Sequence, residues 1–189
     1  MVSEGFQRIN GSPESLWILS DVDEIPRREL VYHLSMCEQS WGSIARLRMK
    51  YFYYNFRTIS NNPWSLAKVV RYPNFTSEGQ HVRKMHVKVF LANAGWHCSW
   101  CFPNVEKFAE KLSSFSHSEY NSETWKNREH IIDSVKHGKD LFGRGSEWRL
   151  MGISDLDVPS YLQDFDPPHM AYLKTADHWP LLTYLNYSE

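Results

Sequence analysis

Leu16-Trp17-Ile18-Leu19-Ser20-Asp21-Val22-Asp23-Glu24-Ile25-Pro26 is the stretch on which the fold assignment turns. Its four apolar residues form the short unbroken run expected of a central parallel strand buried on both faces. The run ends in an acidic cluster. Leu30, Val31 and Leu34 then recur at helical spacing behind Pro26, a residue suited to a first helical turn. An acidic cluster between the C-terminal end of a strand and a helix lies at the edge where open α/β sheets place their ligands. In an extended segment residues i and i+2 point the same way, so Asp21 and Asp23 are expected to face one pocket. Two hard oxygen ligands suit Mn²⁺ or Mg²⁺ better than zinc, and such a cation can hold a diphosphate and neutralise its charge as it leaves. A solvated acidic turn before a helix is the plainer alternative.

Outward from this segment, Ala45–Phe56 alternates as a strand does, with Ala45, Leu47, Met49, Tyr51 and Tyr53 set against Arg46, Arg48 and Lys50. The three basic residues mark its solvated face. Lys68–Tyr72 is a second strand, and Val82–Leu91 a third, with Met85, Val87, Val89 and Leu91 two apart. Asn104 can cap a helix striped by Val105, Phe108, Ala109, Leu112 and Phe115. A second helix is expected from a Ser122 cap through Trp125, Ile132 and Val135 to a stop at Gly138. From about residue 150 periodicity fades, and an irregular tail is expected. The whole predicts an α/β fold, and 189 residues suit one domain, 1–189.

Composition narrows the function. Lys and Arg number 21 against 22 Asp and Glu, for a formal charge of −1, which argues against a nucleic-acid binder with a broad basic surface. No stretch of about 20 apolar residues offers a membrane segment, and the first thirty residues lack a signal pattern. Sequons begin at Asn10, Asn74 and Asn186, which is compatible with the secretory pathway. The aromatic residues (8 Trp, 10 Tyr and 10 Phe) make up 15% of the chain. Such rings fill cores and also form platforms on which sugars stack. A strand beginning so close to Met1 suggests that an upstream portion is missing.

Two further clusters carry chemistry. In Gly95-Trp96-His97-Cys98-Ser99-Trp100-Cys101-Phe102, Gly95 permits close backbone approach to a ligand and Trp96 and Trp100 offer stacking faces. His97 is a metal-ligand or hydrogen-bond candidate, with a satisfied structural histidine as the alternative. Zinc at Cys98 and Cys101 lacks further ligands at a recognisable spacing, Cys37 being distant. A thioredoxin-like motif would open a helix at once, whereas Pro103 intervenes. In Phe115-Ser116-His117-Ser118-Glu119-Tyr120, on the turn between the two helices, a carboxylate could act as a general base or merely cap. Arg144, after Gly143, could meet a phosphate bidentately.

Taken together, Ser20-Asp21-Val22-Asp23-Glu24-Ile25-Pro26-Arg27, Gly95-Trp96-His97-Cys98-Ser99-Trp100 and Phe115-Ser116-His117-Ser118-Glu119-Tyr120-Asn121 resemble glycosyltransferase family 17. Its best-known members are the bisecting β-1,4-mannosyl-glycoprotein 4-β-N-acetylglucosaminyltransferases. The blocks occur in the family's order, and the likeness covers nearly the whole chain. The resemblance implies a GT-A-like, Rossmann-type fold and a UDP-N-acetylglucosamine donor. It also implies a divalent cation, Mn²⁺ or Mg²⁺, inversion at the anomeric carbon, and an N-glycan acceptor on glycoproteins. Asp21 and Asp23 would be the D-x-D pair holding the metal. Gly95, Trp96 and His97, in the donor loop, would contact the nucleotide sugar with Asp21 and Arg144.

An inverting enzyme of this fold usually places its acidic base after the donor loop, which makes Glu119 and Glu106 the candidates. Glu119 is favoured, because a first-turn position at Glu106 lowers a carboxylate's pKa, and protonated His117 would favour the charged, proton-accepting form of Glu119. Family members carry an N-terminal half before the D-x-D strand, commonly preceded by an anchor. The family expectation is therefore a Golgi membrane protein facing the lumen, of which this chain is the C-terminal portion. A non-catalytic glycan-binding domain or degenerate transferase is the alternative, and a glycoside hydrolase using two carboxylates a third.

Overall fold

The computed structural model describes residues 15–36, 41–71, 79–114, 118–145, 148–164 and 168–174. Cys37, Phe115, Ser116, His117 and the three sequon asparagines lie outside the described residues. The chain divides into two compact units, Met1–Lys50 with Asn62–His97 and Tyr51–Asn61 with Cys98–Glu189. Strands and helices mix in an α/β architecture. No helix among the described residues is long and apolar enough to cross a membrane.

In the first unit, β1 (Leu16–Leu19) is followed by the short β2 (Glu24–Pro26), helix α1 (Arg28–Met36) and β3 (Ile44–Leu47). Further on come β6 (Lys68–Arg71), α2 (Gly79–Lys84) and β7 (Phe90–Leu91). A four-stranded sheet has the order β1-β6-β3-β7. β1 is indeed a strand, but it lies at one edge and runs antiparallel to β6, with Leu16 opposite Arg71 and Leu19 opposite Lys68. The expected central parallel position is thereby corrected, because a short apolar run reports burial and not the direction of its partner. The parallel pair is β3 with β7. Leu34 of α1 packs with Trp41, Ala45, Leu47, Met49, Ala67, Val69 and Ala94 to form the core.

The strand expected over Val82–Leu91 is instead the end of α2 followed by extended chain and β7. Val82 turns inward onto Leu19 and Val70, while Met85 and Val89 are exposed. Their spacing of two arose without a shared face.

The second unit holds β5 (Asn55–Ser60) between β9 (Trp148–Leu150) and the Tyr51–Tyr53 part of β4 (Lys50–Tyr53). Both pairings are antiparallel. The single strand expected over Ala45–Phe56 is thus three strands. Alternation holds through Met49 and then fails, since Phe52, Tyr53 and Tyr54 are buried in succession and Tyr54 takes a left-handed φ of 70°. Helix α3 (Val105–Ser114) buries Val105, Phe108 and Leu112, and Asn104 Oδ1 caps it by accepting the Lys107 N–H at 3.0 Å.

The expected second helix breaks into α4 (Glu123–Lys126) and α5 (Arg128–His137). Asn127, not Ser122, supplies the side-chain cap, and Ile131, Ser134 and Val135 form the buried face. Gly138 ends α5 in the left-handed conformation, as its position predicts. Trp100, Phe108, Phe142 and Tyr54 lie ring against ring in this core. The described part of the tail forms short helical turns, including α6 (Ser160–Asp164).

Candidate active site

The Glu24 N–H donates to the Asp21 carbonyl at 3.0 Å, closing a tight turn with fully exposed Val22 at its tip. Asp21 and Asp23 therefore sit on a turn and not on an extended strand. The reversal is needed because β2 begins immediately afterwards, antiparallel to the Gly95–His97 part of β8 (Gly95–Ser99).

Glu24 is the buried centre of this turn. Its carboxylate accepts the Asp21 N–H at 2.7 Å, the Trp64 indole Nε1–H at 2.5 Å, and Arg83 Nη1 and Nη2 at 3.1 Å each. Arg83 Nη2 also donates to Asp21 Oδ2 at 2.7 Å. A buried carboxylate persists only with such compensation. Burial raises the Asp21 carboxyl above its ordinary range, and the neighbouring Glu24 and Asp23 charges add to this against the pull of Arg83. Neither Glu24 nor Arg83 was among the residues expected at the site. The available signal was a third carboxylate directly following the D-x-D, in a strand otherwise formed by Ile25 and Pro26.

The register of β2 on β8 places Glu24 opposite His97, Ile25 opposite Trp96 and Pro26 opposite Gly95. His97 is buried, with its ring 4.2 Å from that of Trp64 and Nε2 4.0 Å from Asp23 Oδ2. The structure thus places Asp23 near His97 and Asp21 against Arg83 on the same turn. Gly95 serves a different end from the one expected. A Cβ at its φ of 152° would run into the Ile25 carbonyl and stand 2.9 Å from Pro26 Cα, so the close approach is to the paired strand.

The two tryptophans are likewise corrected. Trp96 is buried, with the Arg27 guanidinium 4.1 Å from its ring centre. Arg27 also donates to the Asn93 carbonyl and Oδ1, both at 3.0 Å. Trp100, at 4% exposure, belongs to the aromatic core of the second unit. Neither offers an open face to a sugar.

The remaining candidates belong to the second unit. Glu119 is exposed on a 3₁₀ turn, Ser118–Tyr120, and Glu106 is exposed and accepts Arg128 Nη1 at 3.1 Å. Arg144 is held by Asp140, its Nη2 2.9 Å from Oδ2 and its Nε 3.2 Å from Oδ1. Burial alone would raise Asp140, but the Arg144 hydrogen bonds and charge and the Phe142 N–H outweigh it and hold the carboxyl below its ordinary range. Cys98 and Cys101 form a disulfide, which sequence reasoning did not anticipate.

Among the described residues no three His, Cys, Asp or Glu side chains group so as to hold a metal ion by themselves. The side chains of Asp21 and Asp23 are 61% and 27% exposed, and they supply two hard donors at one turn. Mg²⁺-like cations are commonly held by one or two carboxylates together with substrate phosphates and water. A cation held at this turn would draw its further donors from substrate phosphate and water.

Comparison with curated proteins and with solved structures returns no match. The family model described as glycosyltransferase family 17 matches residues 4–148, a span that takes in the acidic turn, all of β8 and Glu119. Such a protein is a transferase that takes sugar from a nucleotide-sugar donor and passes it to a glycan acceptor, and the chain belongs to glycosyltransferase family 17.

Proposed function

We propose that the protein transfers N-acetylglucosamine from UDP-N-acetylglucosamine to a β-linked mannose of an N-glycan, forming a β-1,4 linkage with inversion. In this proposal the chain forms a GT-A-like, Rossmann-type catalytic domain. The observation that carries it is the β2–β8 pairing, which seats the Asp21/Asp23 turn beside His97.

Asp21 and Asp23 would hold Mn²⁺ or Mg²⁺, which when bound supplies neutralisation of the charge gathering on the departing diphosphate. Glu119 takes the proton of the acceptor hydroxyl on its carboxylate. The hydroxyl oxygen bonds to the anomeric carbon from the face opposite UDP, and the bond to the diphosphate oxygen breaks. An α-linked donor so gives a β-linked product. Glu106 is the second candidate for the base, and its ion pair with Arg128 counts against it. The Cys98–Cys101 disulfide supports an oxidising setting, in keeping with the lumenal side of the Golgi membrane.

The test is Mn²⁺-dependent release of UDP from the donor in the presence of an N-glycan acceptor. Glu119→Gln should slow it about a thousandfold with UDP binding intact. No release from the wild-type protein, or release that Asp23→Asn leaves unchanged, would sink the proposal. Glycan binding that survives both EDTA and Asp21→Asn would point instead to a non-catalytic binding domain.

A further inference from the structure

Arg83 is built into the acidic turn in a way that a simple surface ion pair does not require. Both of its Nη atoms donate to Glu24, whose side chain is fully buried, while Nη2 also reaches Asp21 at 2.7 Å. The Lys68 ammonium donates to the Arg83 carbonyl, so the backbone is held as well as the side chain. The guanidinium thus has one edge fixed in the interior. Its side chain is 18% exposed, and the carboxylate at its other edge, Asp21, is 61% exposed.

A divalent cation ligated by Asp21 Oδ2 competes with Nη2 for the charge of that oxygen. When Asp21 turns to a cation, Arg83 keeps its two bonds to Glu24, and the outer N–H of Nη2 faces the same solvent-open turn. A planar, permanently charged fork held there matches the oxygens of a phosphate. Three carboxylates outnumber this one guanidinium in the turn. A nucleoside diphosphate alone is therefore repelled, and it approaches together with its cation.

We propose that Arg83 is a donor-phosphate contact anchored by Glu24, and that its Nη2 exchanges Asp21 Oδ2 for an oxygen of the nucleoside diphosphate. Glu24 is then a positioning residue. The inference rests on the donor site proposed above, and it names the residue that distinguishes a diphosphate from a monophosphate.

The experiment is calorimetric titration of the full chain with UDP and, separately, with UMP, each in the presence of Mn²⁺. Arg83→Ala should weaken UDP about ten- to hundredfold, the range of a lost charge-assisted bond, and leave UMP within about twofold. Arg83→Lys, which keeps a point charge without the fork, should lose part of the preference for UDP. Glu24→Gln should lose it as well, although it leaves Arg83 in place. Retained UMP binding shows that each variant is folded. Equal weakening of both nucleotides, or unchanged UDP affinity in the Arg83 variants, overturns the inference and leaves the transferase proposal standing. A wild-type protein that binds no uridine nucleotide overturns both.

Discussion

Glu24 and His97 stand directly opposite each other across the antiparallel pair β2 and β8. One residue closes the acidic turn and the other opens the Cys98–Cys101 segment, so a single ladder position joins two motifs far apart in sequence. Errors in that register should be felt at the site, since a one-residue slip sends every side chain to the opposite face.

Gly95→Ala tests the pairing itself. The added methyl has no room beside Ile25 and Pro26, and the φ is one that L residues rarely adopt. The expected cost is about 3 kcal/mol, a fall in melting temperature of roughly 6–12 °C. Circular dichroism on heating measures it, and a fall below about 2 °C would show that the strands give way cheaply.

Trp64→Phe keeps a ring against His97 and removes the indole donor to Glu24. A hydrogen bond to a buried carboxylate is worth about 1.5–3 kcal/mol. The urea midpoint should fall accordingly with the slope unchanged. An unaltered midpoint would mean that the indole does not support the Glu24 charge.

Asp140 makes the second unit sensitive to acid. Its carboxyl is held below the ordinary range in the folded protein, so the stability it contributes is present above an unfolded value of about 3.9. That stability is lost as pH falls through the lower, folded value. Asp140→Asn should be less stable than wild type at pH 6, with the gap narrowing as pH falls below about 4. Urea unfolding across pH 3–7 gives the comparison, and a constant gap would show that Asp140 does not titrate as argued.

The disulfide closes a short loop, so its contribution should be modest. Cys98→Ser with Cys101→Ser, or reductant on the wild type, should each cost about 2 kcal/mol, or roughly 4–8 °C in melting temperature. The doubly substituted protein should then ignore the reductant. A shift in that variant as large as the wild type's would place the reductant's effect elsewhere.

Local features were legible in the sequence, and partnerships were not. Asn104, Phe108, Leu112 and Gly138 acted as their types and spacings predict, because capping and amphipathic stripes are decided within a turn or two of chain. Asp21, Asp23 and His97 were singled out by motif; His97 lies 4.0 Å from Asp23, while Asp21 pairs with Arg83. The edge position of β1 depends on which strand lies beside it, and that is set by distant residues. Tyr54 reverses the chain although no glycine or proline announces it. Arg83 reads like any surface arginine until folding brings Glu24 to it. Trp96 and Trp100 show the limit of composition, since an aromatic side chain looks the same whether it will stack on a sugar or fill a core.

Cys98 and Cys101 also give the molecule a memory of its manufacture. Chains translated in a reducing cytosol will carry alkylatable thiols at Cys98 and Cys101, whereas in chains that have passed through an oxidising compartment these two sulfurs are bridged and do not react. Mass spectrometry after iodoacetamide can therefore sort a preparation into molecules with and without this bridge before any assay is run. Batches of differing activity from different hosts would then be compared on that ratio, ahead of any comparison of sequence variants.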